Sequence, residues 1–370
     1  MAKEFLFDTV IPLEDFCNRS KEKKRIFSLL KRQGRLVIYS KRRMGKTSLV
    51  HACVESVQKD QKNTLALMFD FNAMASMENI AERMQASYEA ALKKQLPIKQ
   101  ARASLADLFS RIKISVPGDI ELSLQNVKQV KPAVYLQSLF DEIETLSHKH
   151  ALILVCDEFQ GIEGLVEAQV LLRREFLRLA KVPILLLGSN QRLLYTMFSD
   201  KKLPFYSFGE DLELGPIPLP EYLPYIAERL EPSNLSITAD VAEYWMLKMN
   251  DIPNYINELG AWIVDQYQDL ILTKAHIDDA VESATESKKG RYHAALYPYA
   301  IKQRKFIQAI ARLDNVARIT GKEMQATSGM SPTELGRLKA DLEDCPLISI
   351  DAREQWYILD PFFKGFLERL

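Results

Sequence analysis

Residues 35–54 read RLVIYSKRRMGKTSLVHACV. Arg35–Tyr39 is a short β-rich run, and the apolar residues of TSLVHACVESVQ, beginning at Thr47, fall at helical spacing. Between them lies a basic loop. Strand, loop, helix is the arrangement in which backbone N–H groups cradle a phosphate at a helix N-terminus, where the dipole favours anions. Ser40, Lys41, Arg42, Arg43, Met44, Gly45, Lys46, Thr47 and Ser48 are therefore the expected nucleotide-binding residues. Gly45 permits the backbone conformation and close approach. Lys46 would reach the β- and γ-phosphates, and the Thr47 hydroxyl would ligate Mg²⁺. The usual pattern, GxxxxGK[ST], opens with glycine; here Ser40 stands in that place.

Working outward, Leu65–Phe71 (LALMFDF) reads as a second buried strand and Met77–Leu92 as a helix. ALILVC (151–156) is a third strand and PILLLG (183–188) a fourth, with an amphipathic helix over 164–180 between them. Short apolar strands alternating with helices predict a parallel sheet covered on both faces. A carboxylate at the end of a buried strand is costly unless something cationic uses it. Asp157 would hold the Mg²⁺ shell and Glu158 would orient the attacking water; the alternative is an acidic turn that caps the next helix. Ser189 and Asn190 end the fourth strand, where they either contact the terminal phosphate and its water or make a plain exit turn. No Asn-Lys-x-Asp guanine signature occurs, so ATP is preferred over GTP. Arg111–Leu124 (RIKISVPGDIELSL) alternates apolar and polar about Pro-Gly-Asp and reads as a β-hairpin inserted in the α/β core.

Past Leu214 only helices are suggested, to about Ser287. From Ala300 the order is helix, short helix, Gly-Met-Ser-Pro turn, helix, then the strand-like pieces LISID and QWYILD, which is that of a winged helix-turn-helix. The expected organisation is a P-loop core over residues 1–215 carrying the hairpin at about 111–124, a helical lid over 216–295 and a winged helix over 296–370. From Lys288 to Lys339 there are 11 Lys/Arg against three acids, Asp314, Glu323 and Glu334. If this module binds DNA, Thr333, Arg337 and Lys339 on its second helix would face the groove, while Lys302, Arg304 and Lys305 would contact phosphates. Winged helices also serve as protein–protein modules, and that reading stays open. A second basic stretch, Arg19–Arg43, is partly accounted for by the nucleotide's own phosphates.

The bulk numbers agree with a multidomain globular protein. A chain of 370 residues exceeds one ordinary core. Lys+Arg and Asp+Glu both total 49, so any nucleic-acid binding must come from a local patch. Four scattered cysteines follow no metal-ligand spacing and favour a reducing cytosol. The acidic N-terminus is no signal peptide, and no apolar run approaches the ~20 residues of a membrane span. A cytoplasmic protein with no membrane partner is expected.

Taken in order, these features resemble the archaeal-type ATPases of the STAND/AAA+ assemblage. Phe16-Cys17-Asn18-Arg19-Ser20-Lys21-Glu22 resembles a degraded Phe-x-x-Arg-x-x-Glu entry box that lies near the adenine, which implies a nucleotide contact for Arg19. SKRRMGKTSLV is similar to the family's P-loop, VCDEFQ to its Walker B segment and LLLGSN to its sensor strand. Asn250–Ile256 (NDIPNYI) resembles the Gly-Gly-x-Pro-x-Tyr lid segment, implying a role for Pro253, and WYILDPFFKGFL resembles the end of its winged helix. The likeness runs through the whole chain, with two departures. The family's Pro-Leu-Tyr-Gly-Arg is here Pro204-Phe205-Tyr206-Ser207-Phe208, without arginine, and Asn250-Asp251 replaces Gly-Gly. An arginine finger can be worth ~10³ or more in rate, so its loss implies slow hydrolysis. Arg173, Arg174 or Arg192 are candidate substitutes, possible from a neighbouring subunit.

Two functions compete at this point. One is an ATP- and Mg²⁺-dependent switch or motor, with a homo-oligomer or a protein partner as its working form, that couples nucleotide state to a winged helix on DNA or that partner. The other is a DNA-binding regulator or adaptor whose nucleotide is a structural, poorly hydrolysed clip.

Overall fold

The computed structural model describes residues 3–17, 19–115, 130–343, 345–351 and 353–370. In chain order the first part runs α1 (Ser20–Lys31), β1 (Arg35–Tyr39), α2 (Lys46–Asp60), β2 (Thr64–Asp70), α3 (Met77–Gln95), α4 (Ile98–Ser115), α5 (Pro132–Ser147), β3 (Ala151–Asp157), α6 (Val166–Arg178), β4 (Ile184–Gly188), α7 (Gln191–Ser199) and β5 (Glu210–Glu213). The five strands form one sheet in the order β2-β3-β4-β1-β5, every pair parallel.

Strand alternation divides the core in two. Leu36, Ile38, Leu185 and Leu187 face one apolar cluster, with Ile26 of α1 and Leu49 and Cys53 of α2. Val37, Ile184 and Leu186 face the other, with residues of α3, α5, α6 and α7. Helices thus cover both faces, which is why the strands read as continuous apolar runs. The strand order sets β4 between β1 and β3. In that register Tyr39 lies beside Gly188 and Cys156 beside Leu186, so the loops leaving all three strands emerge together.

Two sequence expectations change. The fifth strand, EDLE, was not foreseen: it is an edge strand with only Leu212 buried, so it offers no apolar run. The hairpin over 111–124 is not formed in its first arm, because Arg111–Ser115 is the last turn of α4. Leu108 and Ile112, four residues apart, are both fully buried, and that helical face overrides the short alternation. Residues 116–124 lie outside the described residues.

The second part comprises α8 (Leu219–Leu230), α9 (Ala239–Lys248), α10 (Pro253–Gln266), α11 (Lys274–Ser287) and α12 (Lys289–Leu296), then α13 (Ile301–Leu313), α14 (Lys322–Ser328), α15 (Pro332–Asp341), the strands β6 (Ser349–Ile350) and β7 (Trp356–Tyr357), and α16 (Pro361–Glu368). β6 and β7 pair antiparallel, and Val316 bridges to Trp356. Ser331 and Glu334 form a reciprocal capping box that starts α15.

An N-terminal strap crosses the helices that follow the sheet. Phe5 packs against Gly260, where a Cβ would sit 2.6 Å from the ring, so that position requires glycine. Asn257 Nδ2 donates to the Leu6 carbonyl at 2.7 Å, and the buried Arg229 donates to the carbonyls of Glu4 and Asp15 at 2.9 and 3.1 Å. No described helix is long and apolar enough to cross a membrane.

Candidate functional site

A cleft of about 410 Å³ opens at the ends of β1 and β4, walled by the strap and by the N-terminal turns of α8 and α10. Its floor is the loop from β1 to α2. Gly45 caps α2 at φ 85°, a conformation glycine adopts without strain, and no side chain caps the helix. The first-turn N–H groups therefore remain for an anion. Lys46 is buried, with Nζ donating to Ser40 Oγ at 3.0 Å and towards the Lys41 carbonyl at 3.4 Å. Burial pushes its ammonium down to about 8, against the opposing pull of Glu158 and Asp157. A buried cation held only by a hydroxyl and a carbonyl fits a site that receives a polyanion. Ser40, in the place of the usual glycine, supplies that hydroxyl.

Next to the loop, Thr47 Oγ1 donates to Asp157 Oδ2 at 2.7 Å. Burial raises the Asp157 carboxyl above its ordinary range, opposed by the Thr47 bond and by the Glu158 N–H at 2.8 Å. A threonine hydroxyl and a carboxylate already in contact form a hard-oxygen donor set that fits Mg²⁺. Glu158 stands at φ 49°, and its Oε2 accepts from Ser189 Oγ at 2.7 Å and from Gln160 Nε2. The backbone beneath is fixed by Phe159, whose ring meets Phe205 at 5.0 Å and Phe71 at 5.4 Å, both edge-on.

The other expected residues divide. Arg19 lines the cleft and is 2% exposed; its guanidinium donates to the carbonyls of Gly215 and Met44 at 2.9 and 3.1 Å, tying the loop between β1 and α2 to the chain before α8. Arg42, Arg43, Met44 and Pro253 also line the cleft. Ser48 Oγ holds the Ile11 N–H at 3.1 Å, so it anchors the strap. Lys41 turns away, its ammonium 4.5 Å from the Tyr357 ring of β7. Asn190 caps α7 through the Leu193 N–H at 3.1 Å and is not among the lining residues. Arg174 bonds Glu175, and Arg192 pairs with Glu343 near the C-terminus; neither they nor Arg173 line the cleft. Phe208, where an arginine was expected, is buried in the aromatic cluster 5.0 Å from Phe205.

In the C-terminal part, Thr333, Arg337 and Lys339 are exposed on α15, and Lys305 on α13. Lys302 pairs with Glu334 at 2.5 Å, and Arg304 donates to the carbonyls of Tyr299 and Tyr297 at 2.7 and 3.0 Å.

Sequence reasoning missed the strap and the polar wall opposite it. Asp8, at φ 50°, meets Arg43 at 3.4 Å and exchanges hydrogen bonds with Asn254 at 2.7 and 3.1 Å. Asn257 receives the Tyr222 hydroxyl and donates to the Tyr225 oxygen, both at 2.9 Å. These partners are about 250 residues apart in sequence in the Asp8 case, and no local pattern links them. Gln160 lies inside the VCDEFQ segment but had no assigned part. Asp8, Arg19, Arg43 and Glu158 all line the cleft with φ between 44° and 67°.

No protein-family model matches this sequence, and a search of curated proteins finds no match. Solved structures do match. A Walker-type ATPase of Pyrococcus abyssi superposes with a TM-score of 0.66 at 16% identity, covering 99% of each chain. The Aeropyrum pernix ORC2 protein, in its ADPNP–ADP complexes, gives 0.53 at 14% identity over 99% of this chain and 97% of that one. Its ADP form gives 0.52 at 13%, over 98% of both. At this level of identity the likeness is one of architecture: the chain has the α/β fold of AAA+ P-loop ATPases.

Proposed function

We propose that the chain binds Mg-ATP in this cleft and hydrolyses it slowly, as a switch in the AAA+ style with a C-terminal winged helix as its output. The observation that carries the reading is the Thr47–Asp157 contact at 2.7 Å inside a cleft that also presents a buried Lys46 and the Glu158 carboxylate. On ATP arrival the Lys46 ammonium leaves Ser40 for the phosphates, and the α2 N–H groups receive the phosphate oxygens. Glu158 orients the attacking water and accepts its proton. Thr47 and Asp157 would hold Mg²⁺, which when bound neutralises charge on the transferring phosphoryl group. Slow turnover follows from Phe208 filling the arginine position and from Arg173, Arg174 and Arg192 standing away from the cleft. A homo-oligomer could supply the missing arginine from a second copy.

Output would pass through direct contacts. Lys41 of the phosphate loop lies on Tyr357, Arg43 lies 4.8 Å from the Tyr255 ring, and Tyr255 meets Phe362 edge-on at 6.2 Å. Thr333, Arg337, Lys339 and Lys305 would then face DNA or a protein partner, and Lys302 and Arg304 would have to leave their present partners to reach phosphates. A cytoplasmic setting is part of the same reading.

Lys46→Ala is expected to abolish ATP binding by titration calorimetry; unchanged affinity would sink the proposal. The buried Phe208 also favours a second reading, a DNA-binding adaptor with a nucleotide clip. Steady-state hydrolysis separates the two: turnover lost in Glu158→Gln supports the switch, and equal negligible rates support the clip. Size exclusion with and without ATP and duplex DNA reads assembly and DNA binding together.

A further inference from the structure

Among the described residues the Glu158 carboxylate receives two hydrogen bonds, and both go to the same oxygen, Oε2. One donor, Ser189, comes from the end of β4. The other is the Gln160 side chain, two residues along the same chain. Such an i, i+2 contact requires a tight turn, and the backbone provides one: Glu158 sits at φ 49°, Phe159–Ile162 is a single 3-10 turn, and the Gly161 N–H returns to the Glu158 carbonyl at 2.8 Å.

The rest of Gln160 makes no polar contact that would explain it. Its Oε1 is buried without a hydrogen-bond partner among the described residues. Oε1 also lies 2.2 Å from where a Cβ on Gly188 would be, so any side chain there would displace the Gln160 amide from this position. Turning the amide over would satisfy nothing, because it would set Oε1 against the carboxylate. The amide thus carries an unpartnered carbonyl in order to direct its N–H at Glu158, a bond strengthened by the carboxylate's charge.

We propose that Gln160 is a positioning residue: with Ser189 it pins one oxygen of the Glu158 carboxylate, leaving the other to meet the attacking water. The inference rests on the ATPase reading above. It deepens that reading by assigning the orientation of the base to a residue outside the metal- and phosphate-binding groups. A carboxylate held at one oxygen presents a single basic lone-pair direction, and rotation about its last bond would lose that alignment.

The test is a double-mutant cycle on ATP turnover by the full chain, with ATP affinity measured in parallel. Gln160→Leu keeps the bulk and removes the amide. Its kcat is expected to fall ~10- to 100-fold, the scale of misaligning a general base, with ATP affinity within about twofold of wild type. In a Glu158→Gln background the same substitution should change the residual rate by less than about twofold, because a residue acting through Glu158 has nothing left to position. Unchanged kcat in Gln160→Leu overturns the inference. So does an equal loss in both backgrounds, which marks a merely structural part. If Gln160→Leu does not fold, Gln160→Asn, whose amide falls one methylene short, takes its place with the same expectations. A wild type that turns over no faster than Glu158→Gln overturns the hydrolysis reading itself, and is told apart by that comparison alone.

Discussion

At the ends of β3 and β4, Asp157 and Glu158 each have named donors on their oxygens, a cation in Lys46 close by, and an open cleft in front. On α5, Glu142 is fully buried between helices, with the Arg111 guanidinium at 3.4 Å and neither carboxylate oxygen in a hydrogen bond among the described residues. The hydroxyls of Tyr88 and Tyr135 are likewise buried without partners. Burial pushes Glu142 up to about 7, and burial also raises the Asp157 carboxyl, where the Thr47 hydroxyl and the Glu158 N–H oppose it. A buried carboxylate therefore does not by itself mark a site. What separates the two regions is the direction of the donors and the presence of a space for a ligand.

The largest way to test the contrast is through the packing under each region. Phe159→Ala should cost about 3–5 kcal/mol in denaturant unfolding, the usual range for a buried phenylalanine. Phe140→Ala, equally buried on the α5 side, should cost a similar amount. Only the first should also lower ATP turnover per folded molecule, since Phe159 carries Glu158 and Gln160. Equal turnover in the two variants would erase the distinction. Next in size, Asp157→Asn should weaken Mg²⁺-dependent ATP binding by ~100-fold while leaving the melting temperature nearly unchanged, on the scale of losing a metal ligand. Titration with and without Mg²⁺ reads it, and affinity that ignores Mg²⁺ in both proteins would count against the metal assignment.

Much of the strand-end region was legible in the sequence; of the helical flank, α3 and α6 were read as helices, whereas α4 and α5 were not. The loop Ser40–Thr47 and the pair Asp157-Glu158 carry their chemistry in adjacent residues, so spacing alone brings them out. The strands were legible because each is buried on both faces; β5 was not, because only Leu212 enters the core. The first arm of the expected hairpin shows the limit of period-2 reading over five residues, since Leu108 and Ile112 on one buried helical face make that stretch helical. The strap clamp, Asp8 with Arg43 and Asn254, depends on partners from three distant elements that only the tertiary fold joins. Gln160 was in view, but its partner could not be known until Glu158 was seen in the left-handed region.

A smaller effect sharpens the comparison through pH. The folded Glu142 carboxyl binds its proton up to about 7, while an unfolded chain releases it near the ordinary value of 4.5. Between those values the folded state holds more protons than the unfolded state, so this group's contribution to stability falls as pH rises through the window. Above it the cost of a buried anion is fully present, and below 4.5 it is absent. Glu142→Gln should thus be more stable than wild type by about 1–2 kcal/mol at pH 8, a figure reduced because the facing Arg111 is partly exposed to solvent. The difference should vanish towards pH 4, and ATP affinity should not move. A variant that is less stable at pH 8 would mean that the Arg111 pair holds an anion here after all.

The smallest expected effect tests whether the strand-end region communicates beyond itself. Tyr357 does not line the cleft, yet its ring holds the Lys41 ammonium at 4.5 Å. The carbonyl of Lys41 in turn accepts from Lys46 at 3.4 Å, so the contact favours the resting loop in which Lys46 leans on Ser40 and Lys41. A cation–π contact at a partly exposed site is worth about 0.5–1 kcal/mol. Tyr357→Leu keeps an apolar group in the buried position and removes only that preference, so Lys46 is freer to move to the phosphates. ATP should bind about two- to fivefold more tightly, the same energy expressed as an affinity. Because linkage is reciprocal, ATP should loosen the C-terminal module in the wild type by the same factor and not in the variant. Hydrogen exchange over 345–370 with and without ATP reads this directly. Identical protection in both nucleotide states of the wild type, with unchanged affinity in the variant, would confine the nucleotide's influence to the cleft.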